Sequence, residues 1–124
     1  MSIEEFYSIE LNEWTMSLEF YLGDLDILKE RLQEVAHKNT GKSVLASVEH
    51  FQDQFIVQKE NLQILRHDIQ KQKEYLTAEL KKFSHLNNLD ITDAQHFLRE
   101  RVQMTEKIFL ELKHSFYRFL AKVF

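Results

Sequence analysis

The sequence contains neither cysteine nor proline, and it has only two glycines, Gly23 and Gly41. Without cysteine the chain cannot form disulfides, use a thiol nucleophile or bind zinc and iron–sulfur clusters through cysteine ligands. Turn-rich β architectures and phosphate-binding loops both depend on glycine or proline. The composition therefore excludes the cysteine-dependent classes and favours a protein built from long helices.

Long apolar runs are also missing. No segment approaches the roughly 18 consecutive apolar residues of a membrane span. The chain starts with MSIEEFYSIE, which carries acids where a secretory signal would carry lysine or arginine before an apolar run. We therefore expect a cytoplasmic protein, and the lack of cysteine is consistent with a reducing compartment.

The sequence has no basic cluster, and its net charge is −4. Residues 1–39 contain nine acids and three bases, whereas residues 40–124 contain eleven acids and thirteen bases. Binding of nucleic acid needs concentrated lysine and arginine, so we expect no nucleic-acid partner. The opposite signs instead suit a first helix that lies against the rest of the chain.

Three long segments carry apolar side chains at alternating intervals of four and three residues. This spacing places one stripe, or seam, on one face of a helix and is typical of coiled-coil-like packing. The first seam comprises Tyr7, Leu11, Trp14, Leu18, Tyr21, Leu25, Leu28, Leu32 and Val35. The second comprises Val44, Val48, Phe51, Phe55, Gln58, Leu62, Leu65, Ile69, Gln72, Leu76, Glu79 and Phe83. The third comprises Leu98, Val102, Thr105, Phe109, Leu112, Phe116, Phe119 and Val123.

Local signals predict where the helices start and stop. Ser2 with Glu5, and Thr92 with Gln95, match the capping box, in which each side chain binds the other residue's free backbone N–H. Gly41 can adopt the left-handed conformation that ends a helix, and Thr40 or Ser43 can cap the second helix. We predict helices over 3–38, 43–84 and 92–123.

The three helices predict an all-α fold. Short connections make successive helices antiparallel, which gives an up-down-up bundle of one domain over 1–124. The second helix is the longest, so the third is expected to stop short of the first turn. Trp14 should lie in the core. A long up-down-up bundle with an aromatic residue in its first helix resembles the spectrin repeat in architecture alone.

Residues 36–43, AHKNTGKS, match a relaxed P-loop pattern. Nucleotide binding by such a loop needs a preceding strand, so that backbone N–H groups wrap the phosphates around Lys42. Here the preceding residues, Leu28 to Val35, belong to a helical seam. We therefore interpret the segment as a helix end and a turn, with no nucleotide bound.

Two kinds of metal site are suggested by histidine spacing. Glutamate and histidine three residues apart share a helix face, as in the di-iron sites of four-helix carboxylate proteins. Two such pairs, Glu34/His37 and Glu111/His114, lie off the apolar seams and should face solvent. A further group, His85/Asp93/His96, consists of loosely spaced residues near the second turn. We expect no metal and no cofactor at these groups.

Catalysis is not expected either, because a slim bundle offers no concave site for a nucleophile and its base.

The polar seam residues Gln72 and Thr105 should lie at similar heights, where a mutual hydrogen bond would fix the register of the helices. The aromatic segment 109–124 should be the third core helix. The same segment supports an alternative function, in which the protein is a peripheral membrane adaptor. A further alternative is a small metal- or ligand-binding helical protein.

A second apolar stripe on the first helix predicts a partner surface. Its four large members, Ile9, Met16, Phe20 and Ile27, are separated by seven, four and seven residues. This spacing keeps them on one helix face, roughly opposite the first seam. Such a patch marks an interaction site unless the third helix covers it within the monomer. We expect a non-enzymatic interaction module that binds itself as a homodimer or binds another helical protein. The predicted contact residues are Ile9, Met16, Phe20, Gly23 and Ile27.

Overall fold

The computed structural model of the protein describes residues 1–81 and 88–124. In that part, the secondary structure consists of three long α-helices: α1, Ile3–Lys38; α2, Lys42–Lys81; and α3, Asn88–Val123. The all-α three-helix prediction is confirmed. The predicted end of the second helix, at residue 84, lies outside the described residues.

Contacts between the helices establish the up-down-up order. Glu10 pairs with Arg99 and Asp24 pairs with Lys113, so α1 and α3 run in the same direction. Contacts between α2 and α3 show the reverse order, because Asp68 pairs with Arg101 whereas Phe55 contacts Phe116. The middle helix is therefore antiparallel to both neighbours.

One of the two hydrogen bonds of the predicted capping box forms at the start of α1. The Glu5 N–H donates to Ser2 Oγ at 3.1 Å. The end of α1 differs from the prediction, because Asn39 adopts extended backbone and donates from its side chain to the carbonyl of Val35 at 2.9 Å. The side-chain amide of Asn39 therefore caps the end of α1, where the sequence predicted that Gly41 would end the helix.

Gly41 does not adopt the left-handed conformation, so that expectation is wrong. Its carbonyl instead accepts from the Leu45 N–H at 3.0 Å, which is the first helical bond of α2. Gly41 therefore occupies the position before the helix, and the proposed capping by Thr40 or Ser43 is also wrong.

The start of α3 lies earlier than predicted, at Asn88. Thr92 and Gln95 are consequently inside the helix and do not form a capping box. Both side chains contact α1 instead: the Tyr7 hydroxyl donates to Thr92 Oγ1 at 3.3 Å, and Gln95 donates to the Tyr7 carbonyl at 3.2 Å. The residues that resemble a cap fasten α3 to α1.

Burial follows the three seams. Most seam positions of the described residues are buried, and a cluster of phenylalanines fills the end of the bundle near the α1–α2 connection. Trp14 is only half-buried, so the prediction of a core tryptophan is wrong; its ring faces the guanidinium of Arg99, 5.9 Å from the ring centroid. Knobs-into-holes packing at heptad level remains a prediction.

The third helix ends at Val123, the residue that the sequence predicts. Phe124, just beyond the end of α3, lies against the last residue of α1, with the Lys38 Nζ 5.7 Å from its ring centroid. The ion pairs Glu10–Arg99 and Asp24–Lys113 join residues 89 positions apart, so Val123 lies at the height of Glu34. Because α1 continues to Lys38, α3 stops about one turn short of the end of α1, in agreement with the expectation.

Candidate protein-interaction surface

The four large side chains of the predicted partner stripe are all exposed. Met16 and Phe20 expose 69% and 67% of their surface, and Ile27 and Ile9 expose 52% and 43%. The alternative expectation, in which α3 covers them within the monomer, is not what the structure shows. We call this set, together with Gly23, the α1 stripe.

The α1 stripe is exposed because α3 binds a different face of α1. The residues of α1 that contact α3 through ion pairs are Glu10 and Asp24. The Lys113 Nζ lies 2.6 Å from Asp24 Oδ2, and the hydrogen bond that Lys113 donates to Asp24 raises the pKa of Lys113 more than burial lowers it. These pairs hold α3 against one flank of α1 and leave the outer face open.

Gly23 belongs to the same exposed band, and the fold does not require a glycine there. A Cβ atom added at this position would meet nothing within 4 Å. Glycine in a helix interior destabilises by about 0.5–1 kcal/mol relative to alanine. Packing within the monomer therefore leaves Gly23 unexplained, whereas close approach by another helix would use the missing side chain.

The surface around the α1 stripe is acidic. Exposed carboxylates of α1 include Glu13, Glu19, Asp26 and Glu30. The exposed base Arg31 pairs within the helix, with Glu34 at 2.9 Å. An apolar band with carboxylates at its borders favours a partner helix that has basic borders.

The C-terminal half of α3 has those properties. Its core residues Phe109 and Phe116 are buried, which confirms that the aromatic segment is the third core helix. Its outer side exposes Leu110 and Tyr117. Residues 107–124 contain four bases and one acid. Lys113 pairs with Asp24 of α1, whereas Lys107, Arg118 and Lys122 are exposed, so the exposed surface of this segment carries more bases than acids.

Within residues 1–81 and 88–124, no helix has both the length and the hydropathy that a membrane-spanning segment requires.

The described residues of the candidate metal groups do not assemble into a site. Both Glu-x-x-His pairs are exposed, as expected from their positions off the seams. The His96 Nδ1 lies 2.9 Å from Arg99 Nη1, while Asp93 is exposed and His85 lies outside the described residues. Within the described part of the chain, no group of three histidine, aspartate or glutamate side chains could hold a metal ion.

The P-loop-like residues form the end of α1, the connection and the first turn of α2. A helix, not a strand, precedes Lys42, so the backbone N–H groups do not form a nest for phosphate. Titration calorimetry with magnesium–ATP and magnesium–GTP is expected to show no heat of binding. Micromolar affinity that disappears in Lys42→Ala would contradict this expectation.

A polar cluster that sequence reasoning missed joins all three helices. The Glu10 carboxylate accepts from Arg99 Nε at 2.8 Å and from Nη2 at 2.6 Å. Gln95, which has no exposed surface, donates to the same carboxylate at 3.0 Å and to the Tyr7 carbonyl at 3.2 Å. Gln72 of α2 donates to Gln95 Oε1 at 3.4 Å. The cluster fixes the three helices at one height.

This cluster replaces the predicted bond between Gln72 and Thr105, which is wrong. Gln72 donates to the Ile91 carbonyl and to Gln95, both at 3.4 Å. Thr105 lies further along α3, where it borders a shallow depression with Arg101. The third seam, extended backwards from Leu98, passes through Gln95 and Ile91, and this extension could have identified both buried residues.

Opposing effects set the pKa of Glu10. Burial raises it, but hydrogen bonds from Arg99 and Gln95, together with the charge of Arg99, outweigh burial and hold the pKa below its usual 4.5. The hydrogen bonds that Arg99 donates to Glu10 in turn raise the pKa of Arg99. Because the folded pKa is depressed, the stabilisation is present above the unfolded pKa and is lost as pH falls through the folded value.

The Glu10 cluster therefore predicts a pH-dependent stability difference. At neutral pH, Glu10→Gln is expected to lower the free energy of unfolding by about 1–2 kcal/mol, because charge-assisted bonds to Arg99 become neutral ones. The difference should shrink as the pH is lowered below 4.5. Urea denaturation of both proteins across the acid range measures it, and a difference that stays constant would contradict the assignment.

Comparison of the chain with protein-family models, with curated proteins and with solved structures gives no match. The geometry of the α1 stripe and the charges around it are therefore the basis for a proposed function.

Proposed function

We propose that the protein is a non-enzymatic interaction module that forms a homodimer through the α1 stripe. The observation that carries the proposal is the exposure of four large apolar side chains on the outer face of α1. Contiguous exposed apolar surface is a common mark of protein contact sites. Dimerisation is the simplest closed use of such a surface, because a two-fold axis generates the contact twice.

Charge favours a particular arrangement of the two copies. Placing one α1 stripe on another would bring two acidic borders together, which costs free energy. The exposed surface of the C-terminal half of α3 offers apolar residues and more bases than acids, so each α1 should lie on the α3 helix of the second copy. Since α1 and α3 run in the same direction, a two-fold axis parallel to the helices produces two such contacts at once.

Sedimentation equilibrium tests the dimer. Wild type is expected to show a monomer–dimer equilibrium, and Phe20→Glu/Ile27→Glu is expected to weaken association at least about tenfold, or about 1.4 kcal/mol. The matched control is Val57→Glu/Ile64→Glu, which makes the same charge change at two exposed apolar residues of α2. It should leave association unchanged.

Two outcomes would overturn the proposal. A wild-type monomer at high micromolar concentration removes self-association. Unfolding of Phe20→Glu/Ile27→Glu, seen by circular dichroism while the α2 control stays folded, would mean that the stripe belongs to the core. Gly23→Ala gives a second measure, because it should retain the fold and still weaken the dimer if another backbone approaches that position.

A second candidate function, a peripheral membrane adaptor, uses the outer side of α3. It is supported by exposed Leu110, Tyr117 and Phe124 within a segment that contains four bases and one acid. A basic amphipathic face of this kind can lie on an anionic bilayer. Co-sedimentation with anionic vesicles separates the two functions, since substitutions in the α1 stripe should not alter membrane binding.

A further inference from the structure

A groove between α1 and α2 encloses about 220 Å³, and residues of these two helices alone line it. Its floor is made of buried core side chains, while Ile56 at the border is half exposed. Ala36 leaves part of the groove open because its side chain is a single methyl group. The apolar lining comprises Leu25, Leu32, Ala36, Val48, Phe55 and Ile56.

Two lysines border this apolar floor, Lys29 from α1 and Lys59 from α2. Both are exposed, and neither forms an ion pair with any residue that the structure describes. One carboxylate, Asp26, also lines the groove. Two ammonium groups against one carboxylate favour an anionic group at the border of an apolar cavity.

We propose that the groove binds a medium-chain aliphatic carboxylate, with the chain on the apolar floor and the carboxylate at Lys29 or Lys59. Size supports this class of ligand: an apolar cavity of about 150 Å³ accommodates benzene. In the same proportion, the 220 Å³ groove accommodates roughly nine carbon atoms, enough for an eight-carbon chain.

The groove and the α1 stripe lie on different faces of α1, and they share only Asp26, which lines the groove and belongs to the acidic border of the stripe. The α1 residues of the groove, among them Lys29 and Ala36, face α2, whereas Phe20 and Ile27 face outward from the bundle. Binding of the carboxylate and formation of the dimer therefore succeed or fail separately.

Titration calorimetry with octanoate, below its micelle-forming concentration, tests the proposal on the full chain. Octanoate is expected to bind with one site per chain, and octylammonium, which has the same chain with the opposite charge, at least about tenfold more weakly. Octanol, the neutral analogue, should also bind more weakly than octanoate. The absence of saturable octanoate binding, or equal binding of all three compounds, would overturn the proposal.

Variants locate the site. Ala36→Phe fills the groove and should weaken octanoate binding at least about tenfold, while Lys29→Gln/Lys59→Gln should preserve the fold and abolish the preference for octanoate over octanol. Phe20→Glu/Ile27→Glu is the control and should bind octanoate normally. Unchanged binding by Ala36→Phe, or loss in the α1 stripe variant, would place the ligand elsewhere and overturn the assignment.

Discussion

Replacement of Phe116 by alanine is expected to lower the free energy of unfolding by about 3–5 kcal/mol, the usual cost of truncating a buried phenylalanine. Phe116 has no exposed surface and lies at the centre of the aromatic cluster. Its ring centroid is 5.3 Å from that of Phe51 and 5.2 Å from that of Phe55, both edge-on, and 6.3 Å from that of Phe119. The substitution removes these contacts and leaves a cavity between α2 and α3.

Urea denaturation followed by circular dichroism measures this loss. Phe97→Ala is the matched control, because the same side chain is deleted from α3 at a position that is 62% exposed. Its contact with Arg101, at 5.7 Å from the ring centroid, is worth about 0.5–1 kcal/mol at an exposed site. Equal losses in the two variants would show that the cluster around Phe116 does not stabilise the bundle as described.

The periodic seams predicted most of the fold because a long helix can bury only one continuous stripe against its neighbours. Leu11, Leu18 and Ile69 are seam residues with no exposed surface. Trp14 shows where the pattern fails. It occupies a seam position, yet its large ring lies at the α1–α3 boundary beside Arg99 and remains half-buried. Spacing gives the direction of a side chain but not the depth of the space that receives it.

Two sequence signals compete at the start of α3, and the stronger one decides where the helix begins. Thr92 and Gln95 have the spacing of a capping box, which acts over four residues. The seam, continued from Leu98 through Gln95 to Ile91, requires the helix to start earlier, as it does at Asn88. Burial of a seam outweighs a cap, because capping contributes about 1 kcal/mol whereas one fully buried large aliphatic side chain contributes about 1.5–3 kcal/mol.

Charge predicted that α1 lies against the other helices but not which residues pair. The pairs Glu10–Arg99 and Asp24–Lys113 both join acidic α1 to basic positions of α3. Which residues form ion pairs depends on the relative heights of α1 and α3 along the bundle. The length of the second connection alone does not determine those heights. Similarly, the exposure of Phe20 could not be decided from its spacing, because both stripes of α1 are apolar and only the position of α3 distinguishes them.

Replacement of Gln95 by leucine is expected to lower the free energy of unfolding by about 2–4 kcal/mol, although it puts an apolar side chain at a buried position. The amide of Gln95 connects the Tyr7 carbonyl, Glu10 and Gln72. Net contributions are about 0.5–1.5 kcal/mol for a neutral hydrogen bond and about 1.5–3 kcal/mol for one to a charged group, and a buried donor left without a partner adds its own cost. Leucine offers burial in return, but glutamine already fills the space.

Gln103→Leu, at an exposed position of α3, is the matched control and should change stability by less than about 0.5 kcal/mol. Gln72→Leu combined with Gln95→Leu should cost less than the sum of the two single changes, because the double variant leaves no amide of this pair unsatisfied. Additive losses, or a stabilised Gln95→Leu, would mean that the cluster does not set the height of the helices.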